Sequence, residues 1–134
     1  MGGYALISVM NFELTENIAT NKFSVRDNPE MLLGLLPGSI MEQTGDIFNP
    51  EKFLLDLDDQ IVYRKEQFSL GDNLLSEILV RDRRFRKSEI EHLCKMEGLD
   101  VIFSRYVQSG KWDVPLEATN TKAKEILILC QKLA

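Results

Sequence analysis

The apolar positions of this chain fall into short runs separated by polar, acid-rich stretches. Residues 4–12 (YALISVMNF) are apolar enough for a buried strand. Residues 14–27 are polar and read as a loop. Asn28-Pro29-Glu30 reads as a helix start, with Asn as N-cap, Pro at the first helical position and an acid in the first turn. That short helix (MLLGLL) stops at Leu36-Pro37-Gly38, and residues 39–43 have the character of another strand. Residues 44–70 scatter Phe and Leu among Asp46, Glu51, Asp56, Asp58 and Asp59, which predicts loop and irregular helix. Asp72 or Asn73 then caps a second helix, with Leu74, Leu75, Ile78 and Leu79 on one face.

Ser88 and Glu91 have the spacing of a capping box. They open a helix that buries Ile90, Leu93 and Cys94 and ends at Gly98, a residue suited to left-handed termination. Residues 99–107 (LDVIFSRYV) follow as a strand. Residues 108–120 form a polar connection holding Trp112 and Pro115. Residues 125–131 (EILILCQ) are a nearly unbroken apolar run, as expected of a strand covered on both faces. The fold class is α/β. With no helix between them, the last two strands are expected to pair antiparallel, because a parallel pair needs a crossover.

Composition narrows the classes. A chain of 134 residues, 44% hydrophobic and 28% charged, suits a single small domain with its own core. The net charge of -5 supplies no global attraction to nucleic acid or membrane. No apolar run is long enough to span a bilayer. Residues 1–10 lack the basic start and apolar length of a signal peptide. Cys94 and Cys130 form no CxxC or Cys/His cluster, so they read as reduced, buried thiols, and the expected compartment is the cytoplasm.

The stretch FRKSEIEHLCKMEGLDVIFSRYV, followed by KAKEILILCQK, resembles the end of class I S-adenosylmethionine-dependent methyltransferases. There a motif F-(S/T)-x-x-E-(L/I)-x-x-L-x-x-x-G-(F/L) leads into the sixth strand, and an AKEIL-type strand closes the sheet as the seventh, antiparallel one. Phe85, Glu89, Ile90, Leu93, Gly98 and Leu99 stand at the matching positions; Arg86 replaces the usual Ser or Thr cap, a role Ser88 could take. Upstream, NPEMLLGLLPGSI resembles the helix and L-x-P-G-G turn before strand five, with Ser39 for the second glycine. Residues 4–12 would then be strand four. In a second register, LLPGSIMEQTGDIF resembles the stretch between strands two and three. The resemblance implies a partial Rossmann-like methyltransferase sheet ending in an antiparallel strand pair.

The same resemblance implies S-adenosylmethionine as cofactor, held at a turn of the E/D-x-G-x-G-x-G type. None of the eight glycines here makes a G-x-G, so no residue matches that turn, and autonomous cofactor binding and activity are not expected. Asn11 and Phe12, at the carboxyl end of strand four, are the positions nearest a cofactor by analogy. If strands one to three are absent, residues 4–12 leave an unpaired sheet edge, which predicts a homo-oligomer or a partner subunit.

The remaining candidates each have a plain structural reading. Arg81, Arg84 and their neighbours through Lys87 could contact phosphate or an acidic substrate, or form a solvated corner between helices; nucleic acid is not the expected partner. Tyr106 and Trp112 could rim a substrate site or cover the sheet end. His92 is expected in solvent. The acids from Glu42 to Asp59 lack calcium-loop spacing and read as a solvated loop.

Overall fold

A computed structural model describes residues 2–38, 49–108, 111–115 and 123–133. In chain order the elements are β1 (Tyr4–Met10), α1 (Phe12–Ile18), β2 (Lys22–Phe23), a 3-10 turn (Pro29–Gly34) and β3 (Pro37–Gly38). After a second 3-10 turn (Pro50–Lys52) come β4 (Leu54–Asp56), β5 (Ile61–Leu70) and β6 (Asn73–Arg83). The chain ends with α2 (Lys87–Met96), β7 (Leu99–Gln108), β8 (Lys111–Pro115) and β9 (Glu125–Lys132). The fold is mixed α/β with two sheets. Contacts group it into two compact units where the composition suggests one domain: residues 1–17 with 84–134, and residues 18–83.

The first unit is an antiparallel sheet in the order β1-β9-β7-β8 with α2 packed on it. β9 alternates so that Ile126, Ile128 and Cys130 meet Ile90 and Cys94 of α2. Ile7 and Val9 of β1 and Val101 and Tyr106 of β7 complete that core. The expected antiparallel pairing of the last two strands is present, from Leu99 opposite Lys132 to Val107 opposite Glu125. β1 pairs directly with β9 on the other side, from Tyr4 opposite Gln131 to Met10 opposite Glu125. Residues 4–10, read as a fourth strand, thus stand beside the closing strand. Residues 39–43, expected as a further strand, lie outside the described residues.

α2 starts two residues earlier than the Ser88 cap predicts. Arg86 is the N-cap, and the Glu89 carboxylate accepts from its backbone N–H at 2.8 Å. This is the Glu half of a capping box, in the register of the F-(S/T)-x-x-E motif. Gly98 ends the helix at φ 77, where a side chain would be strained.

The second unit is a mixed sheet, β2-β4-β5-β3, with β6 along the other side of β5. Its core holds Leu35, Leu54 and Tyr63, with Phe23, Met31, Leu32 and Ile61 around them. Several expectations are corrected here. Residues 54–56 and 61–70 are strands, not irregular chain. The turn between them forms because Asp56 Oδ1 accepts from Asp58 N at 3.2 Å and Gln60 adopts φ 57. Residues 73–83 are a strand, not a capped helix: Gly71, at φ 62, opens a two-residue turn that folds them back onto β5 from Leu70 opposite Asn73. Arg81 therefore lies on a strand, not at a corner between helices.

Residues 12–18 are helix rather than strand end and loop, because Asn11 caps them. The 28–36 helix is a single 3-10 stretch, and Asn28 makes no side-chain cap. Part of the 108–120 connection is β8, whose Pro115 stands opposite Val107.

Candidate functional site

The first unit gathers its polar side chains at the carboxyl end of β1. Asn11 follows that strand and is completely buried. Its Oδ1 accepts from Glu13 N at 3.1 Å, which caps α1, and its Nδ2 donates to the Ala123 carbonyl at 2.9 Å. Its backbone N donates to the Lys124 carbonyl at 2.8 Å. Phe12 N donates to the Phe85 carbonyl at 2.9 Å, and Phe85 N to the Met10 carbonyl at 3.0 Å. The strand end is thus tied to the segments before α2 and before β9.

Phe12 is buried against the Arg86 guanidinium, 4.8 Å from its ring centroid. Arg84 is only 4% exposed and donates to Thr15 Oγ1 at 3.0 Å; Thr15 Oγ1 donates in turn to the Asn11 carbonyl at 3.2 Å. A cation in that position braces α1 from inside.

The half-buried rim of this end is a phenol between two acids. Burial pushes the Tyr106 hydroxyl above its usual range, aided by the charge of Glu13, a hydrogen bond to Glu13 and the charge of Glu91. Lys87 Nζ sits 5.5 Å from the Tyr106 ring centroid and 3.8 Å from Glu91 Oε1. Ser104 Oγ donates to that same Glu91 oxygen. Such a group can orient a polar ligand, with one cation, two carboxylates and a phenol that holds its proton.

Of the residues singled out from sequence, Asn11, Phe12, Arg84 and Tyr106 come together in this unit. Arg81 belongs to the other unit, exposed on β6 with its guanidinium 5.7 Å from the Tyr63 ring centroid. Trp112 stands on β8, beside β7. His92 is exposed on α2, and Cys94 and Cys130 are buried and not joined in a disulfide. Of the acids from 42 to 59, Glu42 and Asp46 lie outside the described residues, Asp56 is buried, and Asp59 pairs with Arg26 at 3.7 Å in solvent.

Sequence reading missed Glu13, Lys87, Glu91 and Ser104 as neighbours of Tyr106. The N-F-E sequence after β1, a cap followed two residues on by an acid, was the available signal for Glu13.

The second unit has a shallow cleft lined by Asn21, Phe23, Glu30, Met31, Glu51 and Leu54. Among the described residues no group of three or more His, Cys, Asp or Glu side chains could hold a metal ion. No described helix is long and apolar enough to cross a membrane. No family model, curated protein or solved structure matches this chain.

Proposed function

We propose that this chain is the C-terminal part of an S-adenosylmethionine-dependent methyltransferase and supplies the acceptor side of its site, without activity of its own. The observation that supports the reading is β9, which runs antiparallel between β1 and β7 and follows a helix capped in the motif's register. β1 and β7 are consequently parallel to each other, as in a partial Rossmann-like sheet. Glu13 and Tyr106 cluster at the carboxyl end of β1, the end at which open α/β sheets hold ligands.

The residues present do not fit the cofactor. No G-x-G lies in the 134 residues, and both polar atoms of the Asn11 amide are committed to backbone. In this reading the cofactor-holding element lies outside these residues. Methyl transfer depends mainly on alignment of donor and acceptor, so a site that orients is sufficient for this part. Glu13, Tyr106 and Lys87 orient the acceptor in this reading. The two free, buried thiols favour a cytoplasmic location.

Two measurements test it. Calorimetric titration of the isolated chain with S-adenosylmethionine is expected to show no low-micromolar binding. The native polypeptide or complex that carries the chain is expected to transfer labelled methyl groups to acceptors in its own extract. Tight binding by the isolated chain overturns the placement of the cofactor site elsewhere; a native assembly that neither binds cofactor nor transfers methyl overturns the family.

A second reading, a non-enzymatic interaction protein, has its own observation. β1 pairs with β9 on one side and with no described strand on the other. Residues 2–11 bear no charge, and Tyr4 and Leu6 are 68% and 55% exposed. Such an edge accepts another chain. On this second reading, sedimentation equilibrium at micromolar concentration shows an association that Leu6→Lys weakens; a monomer whose residues 4–10 resist hydrogen exchange would count against it.

A further inference from the structure

The β5–β6 hairpin carries an apolar surface that the described residues of its own unit do not cover. Beyond the core at Leu35, Leu54 and Tyr63, the side chains of Phe68, Leu70, Leu74, Leu75, Ile78 and Leu79 are all exposed. All of β6 from Asn73 to Leu79 is exposed. β6 pairs with β5 on one side and with no described strand on the other. Two-stranded ribbons are marginal in water, and an apolar edge strand is a template for further pairing.

The charges on β6 identify the occupant. Residues directly opposite across an antiparallel pair share a face. If a second β6 pairs antiparallel about a two-fold axis at Leu79, Leu79 meets Leu79 and Ile78 meets Val80. Glu77 then meets Arg81, twice, and Ser76 meets Asp82. Glu77 and Arg81 lie on one face of β6, opposite Gln67 and Tyr63 of β5. Slipping the axis by two residues sets Glu77 against Glu77 or Arg81 against Arg81, and like charges directly opposite are destabilising. Slipping by one sets Glu77 or Arg81 against Leu79. One register alone satisfies both the apolar centre and its charged flanks.

We propose that β6 is a homodimer interface, joining two copies of this chain β6 to β6 about an axis at Leu79. This inference rests on the hairpin and is independent of the methyltransferase reading.

Sedimentation equilibrium of the full chain tests it. The wild type is expected to dimerise at micromolar concentration. Glu77→Arg and Arg81→Glu each place two like-charge pairs in the interface and are expected to weaken it by about tenfold, while the double variant returns to within about threefold of wild type. Leu79→Cys is expected to cross-link with a short bis-maleimide, because the axis sets the two substituted positions face to face and the native thiols are buried. A wild type still monomeric at about 100 micromolar overturns the proposal, since specific interfaces hold far below that. So does a double variant as weak as the singles, or an uncross-linked Leu79→Cys chain. Association removed by Leu6→Lys but untouched by both charge reversals places the contact at β1 and likewise refutes it.

Discussion

The tripeptide Glu-Ile-Leu occurs at residues 77–79 and again at residues 125–127, each time inside a strand. In β9 the Ile and Leu are 0% and 4% exposed; in β6 they are 46% and 44% exposed. The local sequence is the same and the environment is opposite. β9 is flanked by β1 and β7 and roofed by α2, whereas β6 has β5 on one edge and no described strand on the other. Hydrophobicity made both segments strands, but the neighbours supplied by the rest of the chain decided which one became core.

The sharpest way to break that contrast is to charge both strands. Ile128→Asp places an unpaired carboxylate in the fully buried strand and is expected to destabilise the first unit by about 4 kcal/mol or more. Ile78→Asp, on the exposed strand, is expected to cost below about 1 kcal/mol. Urea unfolding of both variants checks this, and wild-type-like melting of Ile128→Asp would show that β9 is not core. Truncation should follow in the same order at smaller size. Ile126→Ala is expected to lose about 2–5 kcal/mol and Leu79→Ala less than about 1 kcal/mol.

Removing the polar tie at the end of β1 is expected to have a still smaller effect. Asn11→Ala loses the α1 cap and leaves the Ala123 carbonyl without the amide donor, for about 1–3 kcal/mol. Chemical unfolding gives the value, and no change would show that the strand end is held by other contacts.

The smallest effect is a pH response confined to the first unit, which contains both cysteines. Burial and hydrogen bonding to Cys94 push the Cys130 thiol up to about 11 from its ordinary 9.0. The folded state holds that proton more tightly than the unfolded chain. Its stabilising contribution is therefore complete below pH 9 and is lost as pH rises toward about 11. Both thiols should resist alkylation at neutral pH; rapid labelling of Cys130 under those conditions would contradict its burial.

Much of the first unit was legible in the sequence. The α2 helix, its Gly98 terminator and the antiparallel β7–β9 pair rest on local signals that the fold leaves intact. Glu89 also matched its motif position, although Ser88 was the better cap by residue type. β6 was not legible, because Leu74, Leu75, Ile78 and Leu79 satisfy helical spacing as well as a strand exposed on both faces. Only the Gly71 turn and ten positions of β5 settle the matter. The polar cluster was hidden for a related reason. Glu13 meets Tyr106 across most of the chain, and no local pattern encodes a partner that distant.

The unit built from residues 1–17 and 84–134 is discontinuous, and residues 18–83 fold between its two parts. Ser8 and Glu125, which meet across β1 and β9, are 117 positions apart. During synthesis β1 leaves the ribosome long before β9 exists, while every described strand pairing of the inserted unit closes within residues 18–83. At the usual ~5–20 residues per second, β1 waits several seconds or more without its ladder partner. The inserted unit can close its shorter loops in that interval, before the sheet of the first unit is complete. Ribosome-bound chains stalled before residue 125 should therefore protect β4 and β5 from protease while leaving the uncharged residues 4–10 open to cleavage and to chaperone binding.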